Sequence, residues 1–285
     1  MKEKLFVAKA WIPMLEDLDK LLGSTEQWIC IYGLLGSGKT SLCKELFEFL
    51  PIDKNECVIL SIFHEKTEAD WLCQAIIKQW DLTTIEAESP NDSVLRELES
   101  FRQEKRTLSL IIDEAHKLMN DSAFSDINHI ANLCKLVSVP FNVVLVGTKS
   151  LKDNIEQCNL TRNNISYLNE IKALEGEDRL EFLKYELEGF ESHNEILNSE
   201  LLSLIDSKTD GTIKSLKQIT KLIQISESES LGDLEAIVNE KLALLPNKRD
   251  YVAPKIAFSQ KEVVKKQETE IKRKRKIKRL LTEDG

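Results

Sequence analysis

Eight consecutive residues, Gly33-Leu34-Leu35-Gly36-Ser37-Gly38-Lys39-Thr40, carry the densest chemistry in the chain. They fit G-x-x-x-x-G-K-[ST], a pattern whose glycines leave out Cβ atoms so that successive backbone N–H groups can wrap phosphates. Lys39 would add a point charge against the outer phosphates, at binding and as charge develops in the transition state. Thr40 offers a hydroxyl to a magnesium ion, and Ser41 follows in the helix that must begin here. The binding set read from this loop is Gly33, Gly36, Ser37, Gly38, Lys39, Thr40 and Ser41.

Roughly seventy residues on, Leu110-Ile111-Ile112-Asp113-Glu114-Ala115-His116 ends an apolar run in two adjacent carboxylates. At that position Asp113 suits the metal, reached through a water, and Glu114 suits the water that attacks a phosphoryl group. With the loop, the pair points to ATP and Mg²⁺. A third element, Val144-Leu145-Val146-Gly147-Thr148, puts a hydroxyl at the end of another apolar run. Thr148 either bonds the attacking water or γ-phosphate or caps a helix beginning near Lys149; spacing leaves both open.

Chemistry of this kind needs a scaffold that brings separate strand ends together. The runs at 28–33, 57–62, 108–113 and 142–147 are apolar almost throughout, as parallel strands covered on both faces are. A weaker fifth is expected at 165–171. Helical periodicity fills 41–50, 69–82, 93–105 and 124–137. The expected fold is α/β, a doubly wound parallel sheet of the P-loop NTPase kind, with ligands at the carboxyl ends of its strands. Beyond about residue 174 only helices are expected, at 176–188, 195–207, 213–225 and 231–244, with Gly189, Gly211 and Gly232 at their boundaries. The organisation that follows is an α/β core over 1–174, a helical domain over 175–246 and a basic tail over 247–285.

Composition narrows the class. With 42% apolar and 31% charged residues, collagen-like, low-complexity and wholly disordered readings fall away, and only 10 Gly and 6 Pro disfavour a turn-rich β-sandwich. No apolar stretch nears the ~18 residues of a membrane helix, and the N-terminus turns acidic before a signal-peptide core could form, so a cytoplasmic protein with no membrane partner is expected. The six cysteines lack C-x-x-C spacing and read as buried reduced thiols. His64, His129 and His193 show no metal spacing, and His116 reads as structural or relay. Net charge is −9, but 13 basic and 6 acidic residues fall in 248–285, which leaves −16 before the tail and +7 within it. The tail, with its KRKRKIKR run, is either a solubilising segment or an attractor of phosphate or of an acidic partner.

Taken together, GLLGSGKT, LIIDEAH, VLVGT and the helices after 174 resemble the AAA+ ATPases, over roughly 11–244. The closest likeness is to the group of the transposition regulators TnsC and TniB and the secretion ATPase ExeA. Thr209-Asp210-Gly211-Thr212-Ile213-Lys214-Ser215-Leu216 looks like the lid segment of the transposition branch, with Lys214 in place of its second glycine. In that resemblance Lys214 also stands where many relatives place a nucleotide-sensing arginine; a lysine there gives a point charge, or is a solvated helix start. The family's arginine finger falls near Asn164, which makes Arg162 the nearest candidate; otherwise turnover is slow and binding drives assembly. The helicases whose box reads Asp-Glu-Ala-His share residues 113–116 but need a second α/β domain, which is not expected after 174.

The resemblance implies an ATP-hydrolysing regulator that forms a homo-oligomeric ring or filament, acts on DNA and answers to a transposase or other protein partner. An ExeA-type secretion ATPase acting on proteins, or an AAA+ switch in defence or replication initiation, is the alternative.

Overall fold

The computed structural model describes residues 6–22, 26–50, 54–62, 71–82, 89–118, 121–187 and 209–225, with Leu202, Ile205 and Ala236. All of these fall in one compact unit, Met1–Lys248. Five strands form the sheet: β1 (Trp28–Gly33), β2 (Asn55–Ser61), β3 (Thr107–Asp113), β4 (Phe141–Gly147) and β5 (Tyr167–Ile171). Their order is β2-β3-β4-β1-β5, and every pairing is parallel. The fold is the α/β P-loop fold of AAA+ type.

Parallel strands cannot be joined by tight turns, so the intervening segments become helices on the two faces. They are α1 (Ile12–Leu22), α2 (Lys39–Phe49), α3 (Trp71–Trp80), α4 (Pro90–Gln103), α5 (Asp121–Leu136), α6 (Lys149–Gln157), α7 (Asn159–Arg162), α8 (Gly176–Glu186) and α9 (Ile213–Ile225). Strand residues alternate between two cores. Trp28, Cys30, Leu110, Ile112, Val143 and Leu145 join Trp71 of α3, Leu98 of α4 and Phe124 of α5. Ile29, Ile31, Ile111, Val144 and Val146 join Leu18 of α1, Leu42 of α2, Phe182 of α8 and Leu216 of α9. Each such fully buried aliphatic contributes roughly 1.5–3 kcal/mol. The pattern is why the runs in β1, β3 and β4 are apolar on both faces.

The expected strands and their observed counterparts differ by at most two residues at the ends, β1 and α9 having the bounds expected of them. α4 begins three residues early because Ser89 accepts a hydrogen bond from the Asp92 N–H at 3.2 Å and Pro90 takes the first helical position. Helix α1 was not signalled by the strand–helix alternation. The expected helices at 195–207 and 231–244 lie outside the described residues, apart from helical Leu202, Ile205 and Ala236. So does the tail from 247. Among the described cysteines none is disulfide-bonded, and all but the half-buried Cys57 are buried. Burial pushes the Cys30 and Cys134 thiols up to about 12, which leaves them protonated and inert. No helix among the described residues is long and apolar enough to cross a membrane.

Candidate functional site

β1 ends on Gly33 and α2 opens on Lys39, so the intervening loop turns at the carboxyl edge of the sheet. Gly36 and Gly38 have φ of +83° and +98°, a left-handed backbone that side-chain-bearing residues rarely take. Space enforces the same choice. A Cβ on Gly36 would stand 2.6 Å from Lys214 Cβ, and one on Gly38 would stand 2.8 Å from both Ile213 Cδ1 and the Trp11 ring. The loop therefore turns its backbone to its surroundings. Lys39, 5% exposed, donates through Nζ to the carbonyls of Gly33 at 3.1 Å and Leu34 at 2.6 Å. Ser37 is buried, and among the described residues its Oγ has no hydrogen-bond partner.

The loop meets β3 through one hydrogen bond, from Thr40 Oγ1 to Asp113 Oδ2 at 2.8 Å. Asp113 is 3% exposed. Burial holds its carboxyl above the usual range, only partly offset by the Thr40 hydroxyl and the Glu114 N–H, which donates to Oδ1 at 2.9 Å. Burial likewise pulls the Lys39 ammonium down, against the opposing pull of Glu114 and Asp113. Glu114 sits in a left-handed conformation, φ +59° and ψ +29°, uncommon for a residue with a side chain and concentrated at functional sites. It opens the short 3₁₀ turn Ala115–Lys117.

That turn packs on the end of β4. Gly147 comes close to that turn: a Cβ there would stand 3.0 Å from the His116 N and 3.1 Å from Leu151 Cβ, a tight fit. Asn154 of α6 donates to the His116 carbonyl at 3.2 Å. Burial lowers the His116 imidazole's pKa. Thr148 occupies the N-cap of α6, but its hydroxyl bonds Ser150 Oγ at 2.8 Å rather than a backbone N–H, and its carbonyl accepts from the Leu151 N–H. Arg162 is exposed at the end of α7. The structure thus joins Gly33, Gly36, Ser37, Gly38, Lys39, Thr40 and Asp113 in one constellation, with Glu114 on its border and Ser41 one turn into α2. Thr148 opens α6 at the end of β4, whereas Arg162 ends α7, ahead of the start of β5.

The resemblance put Lys214 of the lid toward the nucleotide, but sequence reading missed the rest of what covers the loop. The Lys214 N–H, in the first turn of α9, donates to the Gly36 carbonyl at 3.1 Å, while the residue itself is exposed. Thr212 caps α9 by accepting from the Ser215 N–H at 3.3 Å. Asp210 Oδ1 accepts from the Thr212 N–H, Thr212 Oγ1 and Ser215 Oγ at 2.7–3.0 Å. Burial pushes the Asp210 carboxyl up, but these hydrogen bonds, that from Ser215 first, outweigh it and hold the carboxyl below its usual range. Trp11 is set on the loop by Asp178 of α8, whose carboxylate accepts from the Lys9 and Ala10 N–H groups at 2.8 and 3.1 Å. No local pattern around Trp11, Asp178 or Ile213 announces this role, since each acts across a long stretch of chain.

The fit to a nucleotide rests on the left-handed glycine cradle, the orphaned Ser37 hydroxyl and the buried lysine. Among the described residues no group of three or more His, Cys, Asp or Glu could hold a metal. The Thr40 and Asp113 oxygens suit magnesium, which keeps several waters and takes one or two protein oxygens beside phosphate.

Residues 21–155 match the family described as AAA domain. Among solved structures, the Aeropyrum pernix ORC2 protein in ADPNP–ADP complexes superposes with a TM-score of 0.65 at 16% identity, covering 86% of this chain and 70% of that one. Cdc6p from Pyrobaculum aerophilum gives 0.58 at 14% identity, covering 83% and 65%. The replication initiator DnaA bound to AMPPCP and single-stranded DNA gives 0.50 at 20% identity, covering 81% and 66%. At such identities the likeness is one of fold. No curated protein sequence matches the chain.

Proposed function

We propose that the chain binds ATP with Mg²⁺ and hydrolyses it as a nucleotide-driven AAA+ regulator acting on DNA. The observation that carries this reading is the Thr40–Asp113 hydrogen bond at 2.8 Å, which makes one site of the glycine cradle and the acidic strand end. Backbone N–H groups of residues 36–39 would hold the phosphates, and Lys39 would turn from the loop carbonyls to the outer phosphates. Thr40 and Asp113 would hold the metal, whose chemistry is to neutralise charge building on the phosphate oxygens. Glu114 orients the attacking water and takes its proton. Thr148 supplies a second hydroxyl to that water, and Arg162 reaches a neighbouring copy's site in a ring or filament. Lys214 senses the nucleotide from the lid, as a point charge rather than a fork.

The same reading divides the chain into a core to 174, a lid over 175–246 and a basic tail. Action on DNA is supported by the +7 balance of 248–285 and by the likeness in fold to the replication initiator DnaA, whose structure holds single-stranded DNA. Within that class, the lid segment Thr209–Leu216 favours control of DNA transposition, with a transposase as partner. The test uses Glu114→Gln, which keeps ATP on the protein. We expect it to bind ATP as the parent does, to release phosphate on the order of a hundredfold more slowly, and to sediment with duplex DNA when ATP and Mg²⁺ are present. Phosphate release at the parental rate would assign the base elsewhere, and no DNA association at low salt with or without ATP would sink the DNA reading.

A further inference from the structure

Glu114 is the reacting carboxylate of the proposed hydrolysis, and its side chain is 28% exposed on a single 3₁₀ turn. A carboxylate on such a turn needs something to fix it, because a displacement of about 1 Å at the reacting centre can cost a hundredfold in rate. An ammonium and an imidazole converge on one of its oxygens. Oε2 lies 3.6 Å from Lys117 Nζ and 3.7 Å from His116 Nε2, and no ion pair of Oε1 is found among the described residues.

The two side chains differ in how they are held. His116 Nδ1 is buried without a hydrogen-bond partner among the described residues, so the imidazole is not anchored from behind. Lys117 Nζ donates to the Ile62 carbonyl at 3.0 Å. Ile62 lies one residue past β2, is 1% exposed, and its N–H donates to the Asp113 carbonyl at 3.0 Å. Ile62 therefore fixes both acidic positions: its N–H holds the Asp113 backbone, and its carbonyl holds the ammonium that faces Glu114. The Lys117 N–H also donates to the Glu114 carbonyl at 3.0 Å, closing the turn on itself.

An ion pair this exposed, with side chains 32% and 28% accessible, adds little to folding. Its value is directional. We propose that Lys117 is a positioning residue for Glu114: anchored on the end of β2, it engages Oε2 and leaves Oε1 to receive the water's proton. The inference rests on the hydrolysis reading above.

The experiment compares the parent with Lys117→Met and Lys117→Arg. It measures steady-state phosphate release with ATP and Mg²⁺, affinity for a non-hydrolysable ATP analogue, and thermal unfolding. Lys117→Met should keep analogue affinity and KM within about twofold while kcat falls about tenfold or more. Lys117→Arg, which keeps the charge and can reach the Ile62 carbonyl, should recover most of kcat. Turnover of Lys117→Met at or above the parental rate would overturn the proposal. So would a loss shared by analogue affinity and Tm, or an arginine variant no better than methionine. A parent that binds the analogue but releases no phosphate would overturn the hydrolysis reading itself, whereas an active parent with an indifferent Lys117→Met overturns the positioning role alone.

Discussion

Two threonines at the carboxyl edge of the sheet, each beside the start of a helix, end in different circumstances. Thr40 donates its hydroxyl to a carboxylate that is 3% exposed, so loop and β3 are joined across the sheet. Thr148 spends its hydroxyl on Ser150, an exposed neighbour two residues away. The regions around them differ in the same way. On the Thr40 side, Thr40 is itself exposed, but Lys39 and Asp113 beside it are buried, bonded within the chain and shifted by burial; on the side of α6 and α7, Thr148 is half-buried and Arg162 exposed, and neither side chain hydrogen-bonds the loop or Asp113 among the described residues. A buried polar group has to find its partner inside its own chain, whereas an exposed one can wait for a ligand or a second molecule.

Breaking the Thr40 side should have the largest effect. Lys39→Ala removes the charge facing the phosphates, and one or two charge-assisted hydrogen bonds at roughly 1.5–3 kcal/mol each correspond to about a hundredfold or more in ATP affinity. Titration calorimetry reads this, and retained affinity would mean that the loop is not the phosphate site.

Asp113→Asn probes the tension within the same cluster. Because burial raises the Asp113 carboxyl, the folded state holds a proton more tightly than the unfolded chain. Stability is therefore lost as pH rises from the ordinary carboxylate range through the raised value, and stays reduced at neutral pH. The neutral amide should unfold a few degrees higher than the parent at pH 7 without nucleotide. That gap should shrink as pH falls toward the ordinary carboxylate range, while magnesium-dependent ATP affinity drops. A variant less stable than the parent at pH 7 would show that the carboxylate's hydrogen bonds outweigh its burial.

The side of α6 and α7 should give the smallest effects. Thr148→Ala and Arg162→Ala should leave ATP affinity of dilute protein within about twofold, since among the described residues neither side chain hydrogen-bonds the loop, Lys39 or Asp113. For Arg162→Ala, lost turnover should emerge only at protein concentrations where parental activity rises with assembly. A tenfold affinity loss in dilute Arg162→Ala would put that arginine in its own chain's site and end the contrast between the two regions.

What was legible in the sequence follows distance along the chain. The cradle, the strand ends at Asp113 and Thr148, and the bounds of α9 are written in short local patterns, where glycine spacing and apolar runs decide the backbone. The start of α4 was equally local, in Ser89 and Pro90, and was passed over for the apolar periodicity behind it. The cover of the loop was legible only in part: the lid segment Thr209–Leu216 pointed to Lys214, which meets Gly36, but nothing around Trp11 or Asp178 encodes that the one meets Gly38 and the other supports it.

By itself, then, the sequence determined a phosphate loop on an apolar strand, an acidic strand end, and a doubly wound scaffold to bring them together, because backbone conformation and burial pattern depend on near neighbours. Tertiary structure alone decided that Thr40 is bonded to Asp113, that Lys117 rather than His116 is the anchored cation beside Glu114, and that α9 and Trp11 close over the glycines. Those are pairings between distant segments. Which donor meets which acceptor there is settled by how the sheet and its covering helices pack, and residue type alone leaves it open.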